Sequence, residues 1–493
     1  MISQNIGITI IFMIYLSFML LIGLMYYKKT ESLNEYVLGG RNLNGWVTAL
    51  SSQASDMSGW LLMGLPGYAY LSGLESIWIA IGLGLGTYLN WQFIAMRLRN
   101  YTEIADDSIT ISSFLKNRFE DPSNILKIIS AILILVFFTI YTASGLVAGG
   151  KLFSTVFGIP YIWALIIGAL VVVIYTFLGG FMAVCWTDFF QGTLMIIALI
   201  IVPAACIKGL GGSGETLNIL KDINMNLLNP MTDSSGATIS AISIISLLAW
   251  GLGYFGQPHI LVRFMAISEY KELKKAKRIA VVWVAISLAA AVIIGLVGRA
   301  YLLDGLMDGK SETVFMIMVT KTFPTIIGGF MLAAILAAIM STADSQLLVT
   351  SSALTEDIYT LFRKEAKDKE LVTVSRIAVM LVAVIAVVLA LNPESSVLDL
   401  VSYAWAGFGA GFGPSIIMSL FWRRMTRNGA LAGLISGGAM VIIWKQLSGG
   451  IFDLYEIVPG MIISFIFIII VSLMDKEPSD SVVAKFDKVN SLK

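Results

Sequence analysis

The sequence predicts an all-α polytopic membrane protein of about thirteen transmembrane helices, and its composition, the lengths of its apolar runs and the placement of its basic connections carry that prediction. Of 493 residues, 57% are hydrophobic and 13% charged, with a mean hydropathy of +0.84; an average soluble domain has roughly 45–50% and 25%. About thirteen crossings of about 20 apolar residues through a hydrocarbon core of about 30 Å need roughly 260 residues, which is over half the chain.

Apolar runs at 6–27, 44–69, 74–95, 124–150, 160–179, 187–208, 238–260, 278–300, 323–348, 373–392, 398–421, 428–446 and 454–474 are each long enough to span. The short basic connections are Lys28-Lys29 with Arg41, Arg97 with Arg99, the run Lys271–Arg278, Arg363 with Lys364, and Arg423-Arg424 with Arg427. All fall on one side if each run crosses once. The positive-inside rule makes that side cytoplasmic, with the N-terminus outside and the tail at 475–493 inside. The other side carries longer polar loops, near 209–237 and 301–323. The N-terminus has no basic residue ahead of its apolar run, so this run reads as a retained span and not a cleaved signal.

The same composition argues against several functions. Charges of 33 basic against 32 acidic leave +1, no excess to hold nucleic acid. One histidine and two cysteines are too few for zinc, haem or iron–sulfur ligation. Cys185 and Cys206 stand about 31 Å apart along one expected helix and cannot pair within it. No nucleophile–base or metal-ligand cluster is visible, so the chain does not read as an enzyme, and no organic cofactor or obligate protein partner is expected. The pattern Gly251-x-Gly253-x-x-Gly256 matches a dinucleotide fingerprint literally, but it lies in a membrane run with no strand before it.

Two polar interruptions carry the functional argument. Residues 51–60, Ser-Ser-Gln-Ala-Ser-Asp-Met-Ser-Gly-Trp, put a carboxylate and several hydroxyls inside the second crossing. A charge at bilayer depth costs about 2.5–3.5 kcal/mol on insertion scales, so Asp56 must face a cavity, a partner or an ion; capping a half-helix is the plainer alternative. Ser58-Gly59 weakens the helix there and Pro66 follows, and broken membrane helices are tolerated where freed carbonyls line a cavity. Far downstream, Ala338, Ser341 and Thr342 sit at i, i+3 and i+4, so one helix face presents two hydroxyls and a nearby carbonyl. Sodium, a hard cation, takes neutral oxygens of this kind; hydrogen bonding of each hydroxyl to its own backbone is the ordinary alternative.

The stretches SSQASDMSGWLLMGLPG from Ser51, WGLGYFGQPHILVRFMA from Trp250 and AAILAAIMSTADSQLL from Ala333 together resemble the solute:sodium symporter family, over nearly the whole chain. The resemblance implies a LeuT-type core of two inverted five-helix repeats, at 44–208 and 238–421, joined by the 209–237 loop. A first helix and loop at 1–43, two helices at 422–474 and the 475–493 tail lie outside them. It implies sodium-coupled uptake of L-proline through the cell membrane. Sodium would be held by the carbonyls of Ala54, Met57 and Ala338 and the hydroxyls of Ser341 and Thr342, with Asp56 involved directly or indirectly. Substrate contacts would come from Ser58, Gly59, Trp60, Tyr141, Trp250, Tyr254 and Pro258. A zwitterionic imino acid suits backbone N–H groups at a half-helix start and aromatic faces.

Two further residues have double readings. Asp188, at the expected start of the sixth crossing, is a station on the sodium exit path or a carboxylate complementing a helix dipole. Arg41 supports gating and coupling or is a positive-inside anchor. His259 is expected to pack or bond locally. Two other functions stay open: symport of another small carboxylate or amino acid, and a membrane sensor, which would need an output domain larger than the expected tail.

Overall fold

The computed structural model describes residues 2–27, 32–178, 180–303, 305–306 and 309–491. Lys28 and Lys29, counted above among the basic connections, lie outside the described residues, as do Gly179 and Asp304, Met307 and Asp308 of the second polar loop. Among the described residues no strand forms, only two isolated bridges.

The helices in chain order are α1 (Ile2–Tyr27), α2 (Leu33–Leu38), α3 (Gly45–Asp56), α4 (Leu65–Ser72), α5 (Ile77–Leu89), α6 (Ala95–Ile104), α7 (Ile111–Arg118) and α8 (Ile125–Phe157). There follow α9 (Tyr161–Leu178), α10 (Phe181–Gly209), α11 (Ser213–Asn224), α12 (Ala241–Leu248), α13 (Pro258–Ala266), α14 (Tyr270–Tyr301) and α15 (Val314–Thr322). The chain closes with α16 (Thr325–Ser352), the short α17 (Thr360–Phe362), α18 (Asp368–Leu389), α19 (Val397–Phe421), α20 (Arg427–Trp444), α21 (Ile457–Met474) and α22 (Asp480–Ser491). Every expected crossing falls on one helix or a helix pair, and nine helical stretches among the described residues are each long and apolar enough to cross a bilayer.

Several starts or ends differ from the expectation. The sixth crossing begins at Phe181, not 187, because Gly180 is extended and the apolar turn after it packs under the Arg263 guanidinium, 5.6 Å from the Phe181 ring. The basic run Lys271–Arg278 is the first part of α14, so these charges stand on a helix and not in a loop. The ninth crossing continues beyond 348 to Ser352 and then as a π-helical turn over 353–359.

Two crossings are broken. Asn44 caps α3 by accepting the Val47 N–H at 3.0 Å, and α3 ends at Asp56, where Met57 leaves the helical region (φ −84°, ψ 70°). A π turn over 60–64 resumes the helix and leads into α4, with Pro66 in its first turn, where a missing N–H costs nothing. The second break is at Gln257 (ψ 106°), between a tightened run over 249–256 and α13. Pro258 opens α13, and its ring disfavours a helical conformation at the residue before it.

Close backbone approach explains the glycine pattern that imitates a dinucleotide fingerprint. A Cβ on Gly251 would lie 2.0 Å from the Gly82 carbonyl oxygen, one on Gly253 1.9 Å from Trp405 Nε1, and one on Gly256 2.2 Å from the Phe408 carbonyl oxygen. Trp405 cannot step aside cheaply, because its Nε1 donates to the Trp250 carbonyl at 2.7 Å inside the core. Gly253→Ala is therefore expected to cost about 1–3 kcal/mol by overpacking. Gly84→Ala, with nothing within 4 Å, should be neutral or gain about 0.5–1 kcal/mol in helix propensity. Thermal unfolding of the two variants in detergent separates them; equal melting would refute the packing argument.

The basic connections gather at one end. Arg99 Nε donates to the Ile267 carbonyl at 2.8 Å, Arg423 pairs with Asp487 at 3.0 Å, Arg427 with Asp121 at 2.9 Å, and Lys485 with Glu120 at 3.1 Å. The tail is not free: α22 buries Val482, Phe486 and Val489 against this end. At the other end, Lys151 pairs with Glu312 at 2.7 Å, and Glu312 accepts the N–H groups of Val397 and Leu398. The chain is a multi-pass membrane protein.

Candidate functional site

Where α3 breaks, the Ser58 N–H turns to the Asp56 carbonyl at 3.0 Å, and the Ala54 carbonyl, left without its helical partner, faces α16. Ser341 Oγ donates to the Ala54 carbonyl at 2.7 Å and lies 3.2 Å from the Ala338 carbonyl, and Thr342 Oγ1 is 3.4 Å from the same Ala54 oxygen. Two carbonyls and two hydroxyls thus meet within hydrogen-bonding distance between two helices, all buried. Met57 stands at the break itself and is fully buried. Neutral oxygens of this density suit a desolvated monovalent cation.

Asp56 ends α3 and points away from that pair. Its Oδ2 accepts the Tyr254 hydroxyl at 2.5 Å, while Oδ1, also buried, has no donor among the described residues. Around it stand the expected aromatic residues. Tyr141 donates its hydroxyl to the Asp56 carbonyl at 3.3 Å, and Trp60 Nε1 reaches the same oxygen at 3.3 Å. Trp60 and Trp250 lie 6.0 Å apart between ring centroids. Ser58 and Gly59 form the break, where a Cβ on Gly59 would come 2.9 Å from that of Ala148, so only a glycine fits between the two helices. Pro258, expected among the substrate contacts, lines a cavity of about 20 Å³ with Ile134, Val262 and Thr110. His259 packs at 5.4 Å from Phe138 and 6.2 Å from Tyr141, ring to ring.

Asp188 corrects the expectation of a helix-start carboxylate. It lies two turns inside α10, fully buried, too deep for the helix dipole to be its reason. Its Oδ2 accepts from Ser51 Oγ at 2.7 Å and Ser55 Oγ at 3.0 Å on α3, and from Arg263 Nη2 at 3.1 Å on α13. Ser55 also touches Ser345 Oγ on α16 at 2.9 Å. Ser55 follows Ala54 directly, so this polar network begins next to the Ala54–Ser341 oxygens and runs toward the first turns of α3, the basic end.

Sequence reasoning missed Arg263, the centre of that network. Its guanidinium also reaches Ser51 Oγ at 3.0 Å, Ser345 Oγ at 2.5 Å and the His259 carbonyl at 2.6 Å, with no exposure to solvent. The signal was present: an arginine inside the apolar run HILVRFMA must find a buried anion. Trp405 and Tyr455 were missed as well; they back Tyr254 and Trp250 with rings 5.1 and 5.7 Å away.

Arg41 is more than an anchor in its contacts. Held at positive φ (56°) after two glycines, it donates to the carbonyls of Met265 at 2.7 Å and Ser108 at 3.0 Å and pairs with Asp107 at 2.9 Å. It therefore clips the α6–α7 loop to the end of α13, beside the start of α3.

Comparison with known proteins shows the fold and the family of the chain. A sialic acid symporter described as Na+-coupled, solved in a substrate-bound outward-open state, shares the fold with a TM-score of 0.80 at 21% identity, over 96% of this chain and 99% of that one. The fold is the LeuT-type helical fold. The chain is 52% identical to the high-affinity proline transporter PutP of Bacillus subtilis, over 95% of its own length and 98% of the relative's. It is 50% identical to the sodium/proline symporter of Salmonella typhimurium, over 97% and 95%. The profile of the Sodium:solute symporter family matches residues 36–437. The chain belongs to the sodium:solute symporter family.

Proposed function

We propose that this protein is a sodium-coupled symporter that brings L-proline into the cell by alternating access. The observation that carries the reading is the meeting of the Ala54 and Ala338 carbonyls with the Ser341 and Thr342 hydroxyls at a helix break, next to an aromatic group around Asp56. The relatives named as proline transporters, near 50% identical over almost the whole chain, support the substrate.

In this reading, sodium enters from the 209–237 and 301–323 side and is taken by the carbonyls of Ala54, Met57 and Ala338 and the hydroxyls of Ser341 and Thr342. It draws α3 and α16 together and steadies the break. The break then presents the N–H groups after Ser58 and Gly59 to the substrate carboxylate, while Trp60, Tyr141, Trp250 and Tyr254 enclose the ring and its ammonium. Asp56 keeps Tyr254 oriented through the 2.5 Å bond. Pro258, at the start of α13, is a further substrate contact in this reading. Release passes Asp188, where the Arg263 pair must loosen, and Arg41 couples that end to the α6–α7 loop. The five-helix repeats span 44–208 and 238–421, with 1–43, 422–474 and 475–493 outside them. The basic end faces the cytoplasm, placing the N-terminus outside and the C-terminus inside.

The energetics suffice. One charge moved inward through about 100 mV gives about 2.3 kcal/mol, and a tenfold sodium gradient about 1.4, together enough for roughly several-hundred-fold accumulation at one sodium per substrate.

Labelled proline uptake into proteoliposomes carrying the purified protein tests the whole reading. Concentrative uptake driven by a sodium gradient, lost when potassium replaces sodium and blocked chiefly by unlabelled proline, is expected. Competition chiefly by another small carboxylate or amino acid would move the substrate; uptake indifferent to sodium would overturn the mechanism. A sharper test is Tyr254→Phe, which removes a hydrogen bond to a buried carboxylate, an interaction of about 1.5–3 kcal/mol. The half-saturating proline concentration should rise about tenfold to a hundredfold; an unchanged value removes Tyr254 and Asp56 from the substrate site.

A further inference from the structure

On the outer face of the bundle, α3, α10 and α14 leave between them a groove of about 480 Å³, lined by Trp46 and Leu50, by Thr193 and Ile196, and by Val282 and Ile286. Trp46 is 51% and Val282 58% exposed, so this is open apolar surface on a protein that lives in a bilayer. Its walls have no unmet polar demand: the Thr193 hydroxyl donates to the Phe189 carbonyl at 2.8 Å and Trp283 Nε1 to the Gly192 carbonyl at 3.2 Å. From Arg278 to Ile286 the groove runs about 12 Å along α14.

The end of the groove is basic. Arg278 lines it and, among the described residues, forms no ion pair. Lys275 Nζ stands 6.0 Å from the Trp46 ring, at the same mouth. The nearby acidic side chain, Glu272, is engaged by the Gly45 N–H and lies 3.8 Å from Lys275, so it offsets only part of this charge. An apolar slot closed at one end by a tryptophan and two cations is complementary to an acyl chain under an anionic headgroup.

We propose that this groove is a binding site for one anionic phospholipid, its phosphate held by Arg278 and Lys275 and one acyl chain lying against Trp46, Leu50 and Val282. The site rests on the membrane location of the chain and not on the identity of the transported solute. Because Leu50 precedes Ser51 on α3, the lipid packs directly behind the helix that carries Ala54 and the Asp188 network, and it ties that helix to α14.

Native mass spectrometry of the protein released from nanodiscs of equal phosphatidylglycerol and phosphatidylcholine tests this. The wild-type chain should retain phosphatidylglycerol preferentially. Arg278→Gln should lower that preference about fivefold and Lys275→Gln with Arg278→Gln should abolish it, since each surface cation contributes about a fivefold factor. Arg423→Gln, at the same end but away from the groove, should leave the preference intact. Val282→Trp, which fills the groove without touching the charges, should lower retention of both lipids. Equal retention of the two lipids by the wild type, a preference surviving the double substitution, or wild-type retention by Val282→Trp would each overturn the proposal.

Discussion

Arg263→Gln is expected to destabilise the protein by about 3–5 kcal/mol, the cost of leaving a buried ion without its partner. The guanidinium and the Asp188 carboxylate both lie out of reach of water, and the guanidinium makes hydrogen bonds to Ser51, Ser345 and the His259 carbonyl besides the 3.1 Å ion pair. Glutamine replaces at most two of these bonds and none of the charge. Asp188→Asn should cost a similar amount for the mirrored reason. The double variant, which strands no charge, should recover much of the loss. Thermal unfolding of the four proteins in detergent decides it: additive losses in the double variant would mean that the two groups act separately, and the network described here would be wrong.

Thr342→Ala and Ser341→Ala should raise the sodium concentration for half-maximal proline uptake about tenfold or more, equivalent to about 1.4 kcal/mol of lost ion binding. Ser341→Ala should have the larger effect, because its hydroxyl lies 2.7 Å from the Ala54 carbonyl against 3.4 Å for Thr342. At saturating sodium, proline affinity should be nearly unchanged, since neither hydroxyl is placed among the aromatic residues. Sodium titrations of uptake, followed by proline titrations at high sodium, separate the two quantities. A variant that loses proline affinity at saturating sodium, with its sodium dependence unchanged, would remove these hydroxyls from the ion site.

The contrast between the two broken crossings shows what could be read beforehand. The break after Asp56 announced itself, because serine, glycine and a carboxylate interrupt an apolar run. The break at Gln257 did not: Ala-Trp-Gly-Leu-Gly-Tyr-Phe-Gly is apolar throughout, and hydropathy passes over it. Its tightened backbone follows from glycines seated against Gly82, Trp405 and Phe408, contacts made with α5 and α19. Likewise Ser341 and Thr342 were legible as one helix face, a matter of spacing alone, whereas their shared approach to Ala54 required α3 to lie against α16.

What the sequence determined by itself is the membrane setting, the all-helical class and the residues that a bilayer would not tolerate unpartnered. These are local properties: a helix satisfies its own backbone hydrogen bonds within each apolar run, so composition and length alone decide that it crosses. Only the tertiary structure decided which partners those residues take. Asp188 and Arg263 are 75 positions apart, and Tyr254 and Asp56 are 198. Such pairs depend on how closely helices approach, and that is set by side chains meeting across the bundle, where no periodicity along the chain records them.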